Sequence, residues 1–456
     1  MRDNTSQKKT NANKLDAVIE VTGQTIYRAR IFNPVSRSEF EDIEDGAIEV
    51  DEKGKISKIA KFSEFKDKKA KIIDYRGKII MPGLIDCHVH LPQYDMVAMD
   101  GYELLNWLNE YTFPAERRFE SPKLAKDAAS RFFHALKANG TTTAAVYNTV
   151  HKNATDIAFE EAEKSGLRVF MGKVMMDQNS PDFLQEKTEE SLLESEELCK
   201  KWHGRDNGRI NYAFTPRFAP TCSEKLMEGV ADLAKKYNAY IQTHLSENRS
   251  ELSWVKELFP QSKNYTDVYY NAGILTQKTI MAHSIWVNPS ELKLLAQTST
   301  KVAHCASSNF FLKSGIFDLN STLDAGVDVG LGSDVGGGPN LSLFREMSNA
   351  CNMSKTRYIQ ENGSTKNLDS IGAFYLATKG GAKVLSLDKV IGDLTPGKEA
   401  DFIVVDATLV DPQNGAKNKS GKEILSQLVY RADDRVVFAA YVRGKNIYSV
   451  LQNMKN

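Results

Sequence analysis

Eight short apolar runs, separated by longer stretches rich in charged and helix-favouring residues, constrain this chain more than any other feature. They are Leu84 to His90, Thr141 to Tyr147, Leu167 to Lys173, Ile210 to Pro216, Ala239 to His244, Thr279 to Ser284, Lys301 to Cys305 and Val327 to Asp334. A short apolar run without alternation is the pattern of a strand buried on both faces, as in a parallel sheet covered by helices. Eight such strands over roughly 300 residues match the count and size of a TIM-type (β/α)8 barrel in the α/β class. The chain has 456 residues, more than one compact core usually holds, so a second, smaller domain is expected.

The flanks have a different texture. From Ala17 to about Ile80, alternating runs such as Ala47–Val50 and Lys55–Ile59 are broken by Gly46, Gly54 and Gly77, which reads as strands joined by turns. The pattern returns at Asp401–Asp406 and Val436–Val442, with Gly392, Pro396 and Gly397 supplying turns. Both chain ends are therefore expected to build one small β-sandwich, from residues 15–81 and 385–456, around a barrel at 82–384. Residues 1–14 are polar and lysine-bearing and read as a frayed tail, and Glu186 to Lys201 reads as a solvated amphipathic helix.

Charge and cysteine usage narrow the function. Lys plus Arg and Asp plus Glu both number 59, which removes the broad field that nucleic-acid or anionic-membrane binding relies on, so neither partner is expected. A small neutral substrate suits that balance. No stretch approaches the roughly eighteen apolar residues of a membrane span, and a soluble protein is expected. Cys87, Cys199, Cys222, Cys305 and Cys351 are scattered and form no C-x-x-C pair, which reads as reduced thiols in a cytoplasmic protein.

The chemistry sits at the ends of the apolar runs. In Asp86-Cys87-His88-Val89-His90 the two histidines are two apart, so on a strand both imidazoles point to one side. That pair closes the first run, His244 the fifth, His283 the sixth and Asp334 the eighth. Barrel enzymes gather catalytic groups at this end of the strands, and the four strand ends together predict a metal site. Mixed imidazole and carboxylate ligands suit zinc or iron. A two-metal site would need a carbamylated lysine, for which Lys173 is the candidate, but nothing else in the sequence supports it. His304 is read as a core histidine, and His134, His151 and His203 as solvated. Glu247, three residues past His244, is placed to lean over the metal as a proton shuttle. Asp334 can ligate the metal and accept a proton from water, while His283 can orient that water; the stronger base of the two is left open. The turn Ser333–Pro339, with Gly336, Gly337 and Gly338, lets backbone and substrate approach closely.

Two long strings, Met81-Pro82-Gly83-Leu84-Ile85-Asp86-Cys87-His88-Val89-His90 and Gly392 to Phe402, resemble the amidohydrolases and bracket nearly the whole chain. More narrowly, His90-Leu91-Pro92-Gln93-Tyr94, the run Leu105 to Glu116 and Thr215-Pro216-Arg217-Phe218 resemble the branch of that family that deaminates guanine. The resemblance implies one zinc per subunit held by His88, His90, His244 and Asp334, with His283 beside the attacking water and Glu247 as shuttle. It implies substrate contacts at Gln93, Arg217 and Phe218, with His244, Glu247 and Asp334 also facing the base, and a homodimer as the assembly. The implied reaction is hydrolysis of guanine to xanthine and ammonia in purine catabolism. One departure stands out: Ala303-His304-Cys305-Ala306-Ser307-Ser308-Asn309 lacks the Ser before His and the Pro after Cys that relatives commonly carry.

Arg217 fits guanine physically, because O6 and N7 accept hydrogen bonds where adenine presents an amine, and a guanidinium only donates. A structural ion pair with a packed ring is the competing reading of Arg217 and Phe218. The rival activities are deamination of another aminated heterocycle (cytosine, a triazine or an adenosine derivative) and a non-catalytic scaffold. A scaffold would be expected to have lost ligands, and here every position is filled.

Overall fold

The computed structural model describes residues 24–65, 70–413 and 419–453; the expected tail at 1–14 lies outside them. Eight parallel strands form a nearly closed barrel: Leu84–His90, Thr141–Tyr147, Arg168–Gly172, Ile210–Pro216, Tyr240–Leu245, Thr279–His283, Lys301–His304 and Val329–Leu331. Each pairs with the next in sequence order. Helices alternate with them and cover the outside, as the buried-on-both-faces pattern requires. The eighth strand is the shortest, and Asp334 lies three residues beyond its end rather than within it.

Side chains from seven of the eight strands fill the barrel interior: Ile85, Cys87, Ala145, Phe170, Ala213, Tyr240, Ile280 and Ala303 form a single cluster, the first strand giving two and the others one each, closed off by Val384, Leu385 and Ile391. The first strand changes phase above this layer. Between Asp86 and Val89 it advances three residues while its neighbour advances two, from Ala144 to Val146. Such a bulge re-aims the side chains that follow it. Ile85 and Cys87 therefore face the interior below the bulge, and His88 and His90 face it above.

The seam between first and last strands has no ladder. It is closed by backbone bonds from Asp334 N–H to the His88 carbonyl and from His90 N–H to the Val335 carbonyl, both 2.8 Å. Buried Asp86 completes it, accepting from Ser333 N–H at 3.0 Å and from the Ser333 hydroxyl at 2.6 Å. Gly338 allows the turn beyond, because a Cβ there would lie 1.8 Å from the Ser333 carbonyl oxygen.

Both chain ends share one seven-stranded mixed sheet, in the order Lys445–Ser449, Val437–Val442, Phe402–Val405, Lys71–Pro82, Thr25–Ser36, Glu39–Val50, Ile56–Lys61. The sheet curls over its own core. Tyr27 and Tyr441 lie three strands apart, about 14 Å on a flat sheet, yet their rings are 5.2 Å apart. Tyr75 and Tyr441 hydroxyls meet at 2.5 Å inside the same fold-over. The sheet is tied to the barrel by buried Arg168 of the third barrel strand, which pairs with Asp401 at 3.0 Å and with Glu399. Among the described residues no helix is long and apolar enough to cross a membrane. All five cysteines are free and buried.

The segment read as a solvated helix is only partly so. The helix runs Thr188–Trp202, and its Ser191, Ser195, Leu198 and Cys199 are buried against the barrel. Glu186, just before it, leaves solvent to pair with Lys173, a contact that charge periodicity does not reveal.

Candidate active site

At the carboxyl ends of the strands, His88, His90, His244 and Asp334 converge, each offering one ligand atom within 4.8 Å of the others. Three Nε2 atoms face one another, His88 to His90 at 3.2 Å and His244 to His90 at 3.3 Å. Asp334 Oδ1 lies 3.0 Å from His88 Nε2 and 3.2 Å from His90 Nε2. The ring of His244 is fixed from behind, where Nδ1 donates to the Arg217 carbonyl at 2.7 Å, leaving the Nε2 lone pair turned inward.

Electrostatics match the geometry. Burial holds His88 down to about 4 and lowers His90 and His244, so all three rings are neutral at pH 7. Burial also opposes charge on Asp334, but His88, His90 and His283 outweigh it and keep this carboxyl well below its ordinary value. Three neutral imidazoles can turn three Nε2 lone pairs toward one point beside the Asp334 carboxylate. A cation between them and the carboxylate satisfies them, and soft-to-intermediate nitrogen donors with one hard oxygen suit a transition-series ion.

Beside this group, His283 donates from Nδ1 to Asn309 Oδ1 at 3.0 Å, which leaves Nε2 facing Glu247 Oε2 at 3.3 Å and Asp334 Oδ2 at 3.6 Å. The Ser314 hydroxyl donates to Glu247 Oε1 at 3.0 Å. Burial pushes the Glu247 carboxyl up to about 7. For His283 burial acts downward, but Glu247 and Asp334 outweigh it and raise the ring. Glu251 secures the loop by accepting from Glu247 N–H at 2.8 Å and Asn248 N–H at 3.1 Å. His283 and Asp334 hold left-handed backbone, with φ of 65° and 49°. Non-glycine residues pay for that conformation, and they persist in it where the surroundings over-determine them, commonly at active sites.

A cavity opens onto the cluster. Its walls include Gln93, Leu104, Trp107, Leu108, Arg217, Phe218 and Leu312, with His90, His244, Glu247, Asp334 and Gly337 at the deep end. Every sequence-predicted site residue thus gathers in one place. Arg217 lines the cavity and also pairs with fully buried Glu116 at 2.8 Å, so the ion pair of the competing reading is present.

Other readings are refined. Lys173 is occupied by Glu186 and, at 3.4 Å, by the Ser191 hydroxyl, so its ammonium serves packing between strand and helix. His304 is buried against the Phe317 ring, 4.6 Å between centroids, outside the His/Asp group. His134 is exposed as expected, but His151 and His203 are half-buried, and His203 Nδ1 accepts from Tyr212 N–H. Sequence reasoning missed Glu116, Asn309, Ser314 and the seam role of Asp86. Asn309 lay within the departing string around His304, which is the signal that was available for it.

The sequence pattern of the amidohydrolase family matches residues 79–447. Guanine deaminase of Escherichia coli is 39% identical over 415 residues, 89% of this chain and 92% of that one. Guanine deaminase of Mus musculus is 35% identical over 439 residues, 92% of this chain and 96% of that one. The crystal structure of guanine deaminase from C. acetobutylicum with bound guanine in the active site superposes with a TM-score of 0.89 at 35% identity, covering 93% of this chain and 100% of that one. The chain belongs to the amidohydrolase family, and its sequence lies with the guanine deaminases within it.

Proposed function

We propose that this chain is a zinc-dependent guanine deaminase, converting guanine and water to xanthine and ammonia in purine catabolism. The observation that carries the proposal is the cavity with the donors Arg217 and Gln93 in its wall, opening onto three imidazoles and a carboxylate. His88, His90, His244 and Asp334 would hold one zinc per subunit. Bound there, zinc supplies Lewis acidity that lowers a water pKa from roughly 15.7 to about 7.

The chain's own residues do the rest. Arg217 and Gln93 donate to the acceptor edge of the base, which adenine would meet with an amine. A buried donor left unpaired in this way can discriminate by about 10⁴ or more. Phe218 covers a ring face, and Leu104, Trp107, Leu108 and Leu312 keep bulk water out. Glu247 delivers its proton to the ring nitrogen beside C2 as the water oxygen bonds to that carbon. Asp334 and His283 orient the water and take its proton. The C2–N bond to the exocyclic amine then breaks as Asp334 passes the proton taken from water to that nitrogen, which leaves as ammonia, while Glu247 recovers the remaining proton of the C2 hydroxyl, which becomes a carbonyl.

Incubation with guanine should yield xanthine and ammonia in equal amounts, and elemental analysis should find one zinc per chain. Turnover of cytosine with none of guanine would overturn the assignment. The homodimer and the cytoplasmic setting belong to the same proposal; sedimentation of the purified protein at the monomer mass would remove the former.

A further inference from the structure

Glu116 has no role in the reaction just described, yet it stands directly behind both residues proposed to read the base. Its carboxylate is fully buried and accepts from Arg217 Nη1 at 2.9 Å and 2.8 Å and from Gln93 Nε2 at 3.2 Å. Gln93 Oε1 in turn accepts from Gly336 N–H at 3.3 Å. The orientation of the Gln93 amide is thereby decided. A carboxylate on one side demands a donor and a backbone N–H on the other demands an acceptor, so the side chain cannot turn over. Arg217 is fixed as well, between Glu116 and the Phe113 ring, 5.2 Å from its centroid.

Two consequences follow for the cavity. With Nη1 committed to Glu116, the remaining guanidinium N–H groups and the second Gln93 N–H are what the wall can offer a ligand, and all of these are donors. The Arg217 charge is also cancelled at its source, so the wall donates hydrogen bonds without a net positive charge. We infer that Glu116 is the specificity-determining positioning residue of this site: it makes the base-reading wall donor-only and electrically neutral, matched to an uncharged oxopurine. The inference rests on the functional reading above.

The test is Glu116→Gln, which keeps shape and one acceptor but removes the charge. The expected result is a KM for guanine raised at least about tenfold, kcat within about threefold, and metal content unchanged. Urate, an oxopurine that is anionic at neutral pH, should bind the variant several-fold more tightly by calorimetry, because Arg217 is then uncompensated. A merely structural role would lower kcat, metal content and thermal stability together and would not favour an anion. An unaltered KM, or unaltered urate affinity, overturns the inference. Glu116→Asp covers the case of a variant that fails to fold: it retains the charge, so guanine KM should rise while urate affinity stays at the parent level, and tighter urate binding there is also fatal. The parent chain is assayed alongside. No xanthine from the parent counts against the functional reading, whereas xanthine from it with an unchanged variant KM counts against Glu116 alone.

Discussion

Glu247 and His88 belong to one site and separate under mutation, because Glu247 lines the cavity proposed to take the base whereas His88 belongs to the proposed metal-holding group. Glu247→Gln keeps the Ser314 bond partner in place but holds no transferable proton, so kcat should fall by about 10²–10⁴ with zinc content unchanged. His88→Ala should lose zinc and activity together. Elemental analysis beside a guanine assay checks both, and equal metal with equal rates in the two variants would contradict the roles. The residues most readable from sequence were those at strand ends: His88, His90, His244, His283 and Asp334 each close an apolar run, and period-2 geometry does the rest. Glu116 was not readable as a partner of Arg217, since the two lie 101 positions apart and their pairing leaves no local pattern. Ser314 is hidden for the same reason, 67 positions from Glu247.

Whole elements carry information that strand counting misses. Before Pro114, the Phe113 N–H reaches back five residues to the Leu108 carbonyl, and this wider turn accommodates a proline with no N–H to give. It shapes the wall where Trp107 and Leu108 meet the cavity, and no propensity scale announces it. The bulge at Asp86–Val89 is equally silent: the two histidines were correctly placed on one side, but the side is set by an extra residue. On the helix Leu343–Gln360, buried Glu346 meets the Ser307 N–H at 3.2 Å and the Ser307 hydroxyl, joining that helix to Ala306–Phe311. Burial pushes this carboxyl from its ordinary 4.5 up to about 8. Between those values the folded state holds a proton that the unfolded state has lost, so the contribution to stability falls as pH rises, by up to about 1.4 kcal/mol per pH unit. Glu346→Gln is neutral throughout. Its melting temperature should therefore decline less than the parent's between about pH 5 and about pH 8, as calorimetry at a series of pH values would reveal; parallel curves would show that Glu346 is ionised in the fold.

At the scale of the molecule, the barrel and the shared sheet communicate through Arg168, buried with Asp401 and Glu399 from the C-terminal part of the chain. Arg168→Ala leaves two carboxylates with reduced compensation, Arg443 still reaching Glu399 at 2.8 Å. Breaking a buried pair from one side costs about 3–5 kcal/mol. A melting point lowered by several degrees, with guanine KM preserved, is the expected outcome; an unshifted melting point would mean the pair contributes nothing net. The pairing of both chain ends was legible because strand texture recurs after residue 400, while the curl that brings Tyr27 to Tyr441 was not, since it depends on contacts three strands away. The seam also sets a timetable for synthesis. Asp86 and Ser333 lie 247 positions apart, and Asp334, the carboxylate of the proposed metal site, follows immediately. A nascent chain emerging from the ribosome exposes His88, His90 and His244 long before Asp334, so on the proposed ligand set tight metal capture would wait until the last barrel strand has left the exit tunnel. Loading of that set would thereby be coupled to completion of the barrel, and chains stalled short of residue 334 should reach quality control without a bound ion.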